Sequence, residues 1–303
     1  MLAIKFTCLR LNNVNISNFT SYNYPPMIYN FRRNTQSLLF VPLIMLAACS
    51  TSKYAATNKV YKEQAQGFSN TLKAFPPMEQ VIPALPVDSQ VFIGSVNFGI
   101  RKPAFIILHH TAQTSTEQTI KTFTLKSTGT SAHYVIGRDG KVVQMVNDYL
   151  RANHAGLARW GNETDLNSCS LGIEIDNNGN EPYADVQIKS LLALLSVLKK
   201  KYNIPAANVI GHSDIAPKRK IDPNLFPWKQ LADQGFGLWY DSVLQIPPPE
   251  FDAKIALRVI GYDISNLPAA IIAFKRHFVQ TDISAVLTQN DNMILFNLYK
   301  KYL

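Results

Sequence analysis

Cysteine is scarce in this chain, with Cys8, Cys49 and Cys169 the only three in 303 residues. Three thiols make no disulfide framework, and the absence of a C-x-x-C pair removes the signature of a thiolate zinc site. Acids are also in deficit, 21 against 30 basic residues, for a net charge of +9. Part of that excess sits in residues 1–48, which hold Lys5, Arg10, Arg32 and Arg33 and no acid; without them 26 basic residues face 21 acidic ones, a net of +5. This suits an acidic polymer or an anionic membrane surface and is too mild for nucleic acid, so no nucleic-acid partner is expected. The apolar run Leu38–Ala48 has 11 residues, about half of what a bilayer-spanning helix needs.

What is present is apolar bulk, 47% of the chain, enough for a real core. At the front, Arg32 and Arg33 precede "SLLFVPLIMLAACS", Ser37 to Ser50. A charged segment, a short apolar run and small residues read as a signal peptide over residues 1–48, and Met27 begins one of more usual length. "LAAC" resembles the bacterial lipoprotein processing box. That resemblance implies lipidation of Cys49, and Ser50 after it implies an outer-membrane anchor facing the periplasm. Residues 49–95 then read as a lipidated N-terminus and tether, polar over 50–70 and Pro-rich in "FPPMEQVIPALPVD".

Beyond it, "AFIILHH", Ala104 to His110, reads as a buried strand. "TEQTIKTFTLK" has helical spacing, and "AHYVIGRDGKVVQMV" reads as a hairpin turning at Asp139-Gly140. "LGIEIDN" is a further strand. "DVQIKSLLALLSVLKKKYN" is a helix with lysines in its last turn, and "NVIGH" returns to the sheet, ending on His212. The order predicts an α/β fold, a mixed central sheet flanked by helices, over residues 96–240. Pro247 to Pro249 mark a boundary, and residues 250–303 read as a small three-helix domain.

The six histidines invite a metal site, since zinc catalysis needs three nitrogen or oxygen ligands and an open position. His109 and His110 are neighbours on a strand and point to opposite faces, so only one serves a given site. His212 lies at the end of a second strand. Asp222 follows on a loop stiffened by Pro217 and Pro223, and Asp214 is a competing carboxylate nearer His212. Spacing alone does not choose between them.

"FIILHHTA", "SAHYVIGRDGKVVQ", "NHAG", "CSLGIEIDN" and "GHSDIAPKRKIDP" resemble, in order, the blocks of the zinc-dependent N-acetylmuramoyl-L-alanine amidases, which share a fold with the peptidoglycan recognition proteins. The outer-membrane lipoprotein subgroup is the nearest in layout. The resemblance implies one Zn2+ per chain on His109, His212 and Asp222, Glu174 as the catalytic carboxylate and Lys220 as a cation for the oxyanion. It places His154 beside the substrate. Asn153 stands where a companion tryptophan is usual, and Trp160 is the candidate to replace it. His133 is expected to support the cleft floor, and His110 to face away.

The implied reaction is hydrolysis of the amide joining N-acetylmuramic acid to L-alanine in peptidoglycan or muropeptides, during cell-wall turnover. Two rivals are a non-catalytic peptidoglycan-binding protein and a zinc peptidase cutting within the stem peptide. The segment from "LRVIGY" to "LYKKYL" resembles a peptidoglycan-binding module. Cys169 is read as a buried small residue rather than a nucleophile.

Overall fold

The computed structural model describes residues 53–73 and 101–303. The expected signal peptide, Cys49 and the Pro-rich stretch lie outside the described residues.

The isoleucine-rich run forms β1 (Phe105–His110), where branched side chains suit a pleated, covered surface. Four more strands follow: β2 (Tyr134–Ile136), β3 (Val142–Gln144), β4 (Ser170–Ile175) and β5 (Val209–Gly211). Their order is β3-β2-β4-β1-β5. β2, β4, β1 and β5 run parallel, and β3 pairs antiparallel with β2. The mixed sheet is therefore as the sequence pattern predicts. Asp139-Gly140 does turn the β2–β3 hairpin: Gly140 sits at φ 78°, in the left-handed region that glycine reaches without a Cβ clash.

Helices α2 (Thr116–Thr124), α3 (Leu166–Cys169) and α6 (Trp228–Asp233) lie along the chain among these elements, and the sheet's two faces are covered differently. Ile106 and Leu108 of β1 and Leu171, Ile173 and Ile175 of β4 pack against helix α4 (Asp185–Tyr202). Ile188, Leu191, Leu195, Leu198 and Tyr202 provide the helix's buried stripe, at the three-and-four spacing of one helical face. Fully burying each such leucine is worth about 1.5–3 kcal/mol. The helix stops at Asn203, in the left-handed conformation with φ 52°, after three lysines that complement its dipole.

The opposite face, with Ile107 and Ile210, belongs to a second apolar cluster. Its partners are the C-terminal helices, here α7 (Ala253–Ile260), α8 (Leu267–Phe278) and α9 (Gln289–Tyr302). Asp252, Asn266 and Thr288 cap them through side-chain oxygens on backbone N–H groups. Three helices stand where three are expected, but Leu257, Phe274, Phe278 and Leu295 share one continuous core with the sheet. The sheet and the C-terminal helices accordingly belong to one compact unit.

Two local readings are corrected. The polar stretch read as a tether is helical as α1 (Ala55–Lys73). It contains no proline and is rich in Ala, Lys and Gln, which favour helix without a buried face. His212 does not end β5; it opens the four-residue helix α5 (His212–Ile215) immediately after it. No helix among the described residues is long and apolar enough to cross a membrane.

Candidate active site

Parallel pairing brings the carboxyl ends of β4, β1 and β5 to one edge. His109 is in register with Glu174 on the neighbouring strand, so both side chains leave the same face there. α5 begins one residue past β5, which brings His212 to the same edge. Asp222 arrives from the loop beyond α5, tied back by a bond from the Ser213 N–H to the Asp222 carbonyl, 2.7 Å.

These three side chains converge. His109 Nδ1 lies 2.9 Å from His212 Nδ1 and 3.1 Å from Asp222 Oδ2, and His212 Nδ1 lies 2.9 Å from the same oxygen. All three residues are buried, and together they form a group able to hold a metal ion. Zinc ligands at about 2.0–2.2 Å in a tetrahedron stand roughly 3.3 Å apart, close to these separations. The donor chemistry agrees. His212 Nε2–H donates to the Ala155 carbonyl, 3.0 Å, which leaves Nδ1 with a lone pair aimed at a carboxylate oxygen. Two lone pairs this close call for a cation between them, and the residues fit zinc.

A second line of contacts runs outward from His109. Its Nε2 meets His154 Nδ1 at 3.1 Å, and His154 Nε2 meets Ser170 Oγ at 3.2 Å. Ser170 Oγ–H donates in turn to the Leu166 carbonyl. His154 is thus buried behind a ligand, with both ring nitrogens engaged. Gly172 lies beneath it: a Cβ there would come within 2.4 Å of the imidazole. His133 sits alongside, its Nδ1 accepting from the Gly172 N–H at 3.0 Å and its Nε2–H donating to the Leu150 carbonyl at 3.1 Å.

The electrostatics follow from burial. Desolvation, then the neighbouring His212, pulls the His109 pKa down to about 4, so the ring is neutral at pH 7, as metal ligation requires. His154 is also held well below its ordinary value, by burial first. Burial alone would push the Asp222 carboxyl up, but the closeness of the His109 and His212 rings outweighs it and holds the carboxyl well below the usual range. Glu174 goes the other way, to about 8: burial raises it, the Asp222 charge adds to that, and Lys220 opposes. Glu174 Oε2 is shielded from solvent without a hydrogen-bond partner among the described residues. These groups open onto a cleft of about 470 Å³ that Lys220, Arg219, Thr130 and Asn153 also line.

Other residues singled out from sequence lie elsewhere. Trp160 is 6% exposed, packed edge-on against Tyr262 and over Gly261, so it does not replace the missing tryptophan in the cleft. His110 leaves the strand on the other face from His109, its Nδ1 accepting from the Asn224 N–H at 3.1 Å, yet its ring still borders the cleft. Asp214 is buried away from the cluster, against Tyr262 and His277. Cys169 is a free, half-buried thiol pushed by burial up to about 11, far from a nucleophile's range. Sequence reading missed Ser170, Gly172 and Arg219, whose guanidinium reaches the Ala155 and Leu157 carbonyls. None carries a signal without the fold.

Two imidazoles, a carboxylate and a glutamate with one unpartnered oxygen, gathered at the carboxyl ends of the parallel strands, form a hydrolase-type site with a group able to hold a metal. Comparison with known proteins gives the family. The N-acetylmuramoyl-L-alanine amidase profile matches residues 100–225. The chain is 32% identical over 230 residues to the N-acetylmuramoyl-L-alanine amidase AmiD of Escherichia coli, covering 65% of this chain and 82% of that one. It is 40% identical over 102 residues to the 1,6-anhydro-N-acetylmuramyl-L-alanine amidase AmpD of Haemophilus influenzae, 33% of this chain and 55% of that one. The structure of E. coli AmiD in complex with the substrate anhydro-N-acetylmuramic acid-L-Ala-D-γ-Glu-L-Lys superposes with a TM-score of 0.60 at 29% identity, covering 69% of this chain and 93% of that one. The chain belongs to the N-acetylmuramoyl-L-alanine amidase family.

Proposed function

We propose that this protein is a zinc-dependent amidase that hydrolyses the bond between N-acetylmuramic acid and L-alanine, with muropeptides as substrates. The observation that carries the reading is the convergence of His109 Nδ1, His212 Nδ1 and Asp222 Oδ2 within 3.1 Å of one another, beside a glutamate with a shielded, unpartnered oxygen. Bound there, a zinc ion supplies Lewis acidity toward water and the scissile carbonyl.

The chain's own groups do the rest. Glu174, with its proton affinity raised, accepts the proton of the attacking water and returns it to the leaving amine of L-alanine, a role worth about 10²–10⁴ in rate. Lys220, half-buried on the cleft wall, sets a positive charge against the developing oxyanion; losing such a group costs on the order of 10²–10³ in kcat. His154 fixes the tautomer and tilt of His109, as outer partners of metal ligands do. It also borders the cleft, which keeps it within reach of substrate.

The test is digestion of an anhydromuramyl tripeptide and of whole cell wall, with and without a chelator, read by mass spectrometry. Free peptides beginning at L-alanine beside intact glycan are expected, and readdition of zinc restores them. Cleavage within the stem identifies a peptidase instead. Retained cell-wall binding by zinc-loaded protein that cuts nothing identifies a binding protein.

We also propose that Cys49 carries a lipid, palmitate among its acyl chains, and anchors the enzyme to the outer membrane, facing the periplasm. The support is the "LAAC" box after a short apolar run. Metabolic labelling with a radioactive fatty acid should mark the wild type and not Cys49→Ala; equal labelling of the two defeats the idea.

A further inference from the structure

We propose that Tyr262 and His277, from the C-terminal helical segment, are positioning residues for the metal ligand His212, acting through the buried carboxylate of Asp214. The inference rests on the reading of His212 as a zinc ligand.

α5 is four residues long, too short to hold its own geometry by helical hydrogen bonding. Something outside it must fix where His212 points. One carboxylate does so from below. Asp214 is fully buried, and its Oδ2 accepts from the N–H of Gly211, the residue just before His212, at 2.8 Å. The same oxygen accepts from His277 Nδ1–H at 2.7 Å. Its Oδ1 accepts from the Tyr262 hydroxyl at 2.9 Å. Two of the three donors therefore come from residues beyond the Pro247–Pro249 run.

His277 is itself held. Its ring stacks on Trp228, 3.9 Å between centroids and 15° between planes, and on Phe278 at 4.1 Å. Trp228 in turn walls the turn before His212, since a Cβ added to Gly211 would sit 3.0 Å from the indole and 3.1 Å from Asp214 Oδ2. Gln280, just past α8, donates from Nε2 to the Phe226 carbonyl at 2.8 Å, gripping the loop that carries Asp222. A buried carboxylate stripped of its donors costs too much to leave in place, so losing them reorganises the turn that carries His212. The C-terminal helices thus serve as a foundation of the metal site, whatever else they bind.

The experiment uses the full chain and three variants. His277→Phe keeps the stack and removes the donor, His277→Asn keeps a donor near the Nδ1 position, and Tyr262→Phe deletes one hydroxyl. Zinc affinity is read by competition with a chromophoric chelator, and the melting temperature of the metal-free protein is read beside it. His277→Phe should weaken zinc binding by about 10–100-fold, the range for lost outer partners of metal ligands. His277→Asn should recover most of that, and Tyr262→Phe should show a smaller loss. Folded His277→Phe or Tyr262→Phe with wild-type zinc affinity, at whatever melting temperature, overturns the proposal; so does an equal loss in His277→Phe and His277→Asn. Should His277→Phe not fold, Tyr262→Phe decides alone. A wild-type chain that binds no zinc strikes the proposed function instead, not this inference in particular.

Discussion

Along β1, Ile106 and Leu108 turn toward α4, while Ile107 and His109 turn toward the C-terminal helices and the cleft. The first face is apolar over most of its contact with α4, broken by the Tyr134 hydroxyl, which bonds Asp148, and its apolar side chains add to stability. The second begins in the same way at Ile107 and Ile210, then changes character at the strand ends. There it collects two imidazoles whose ring nitrogens face a carboxylate, and a glutamate oxygen without a partner. A sheet two residues longer in apolar sequence would be more stable and chemically inert. The comparison separates residues that keep the chain folded from residues that folding has to tolerate.

Neighbouring histidines give the sharpest way to break it. His109→Ala should abolish stoichiometric zinc and with it turnover. His110→Ala, one residue away on the other face, should hold zinc within about 10-fold of wild type, at or under the 10–100-fold loss of an outer partner. Equilibrium dialysis with metal analysis checks both; reversed outcomes would exchange the two faces.

Next in size is Glu174→Gln, expected to lower kcat by about 10²–10⁴ with zinc retained. Glu174 works as a base only when deprotonated, so activity should fall as pH drops through its pKa. That pKa is about 8 without metal, and a bound dication pulls it lower, so the acid limb lies below pH 8 and should vanish in the variant. The linkage sign also follows. The native state holds this proton more tightly than the unfolded chain, so stability falls as pH rises from the ordinary carboxylate range toward 8. Glu174→Gln should therefore melt higher at neutral pH, by about 0.5–2 kcal/mol, in calorimetry of the metal-free protein.

On the other face, Leu195→Ala should destabilise by about 2–5 kcal/mol in urea unfolding and leave zinc affinity unchanged. Smallest of all, Cys169→Ser should alter neither kcat nor, beyond about 0.5 kcal/mol, stability.

Much of the scaffold is legible in the sequence because its signals are local. The β1 run, the Asp139-Gly140 turn and the leucine stripe of α4 each declare themselves within a few residues. The choice between Asp214 and Asp222 does not, since both are carboxylates a short way past His212 and only the fold decides. It seats Asp214 against Tyr262 and His277 from far along the chain and carries Asp222 back to the cluster through the Ser213–Asp222 backbone bond. Trp160 reads as a cleft aromatic for the same reason: nothing near it in sequence announces that Gly261 and Tyr262 will cover it. α1 is missed because a polar helix and a polar tether share one composition, and periodicity cannot separate them where no face is buried.

The glycine of "LGIE" makes its contribution by what it leaves out. At Gly172 even a methyl group would occupy the volume of the His154 ring. Displacing that ring unhooks the far nitrogen of His109 and frees the ligand to swivel. A residue with no side chain, whose atoms never touch the cleft, thereby sets the aim of the metal centre from underneath.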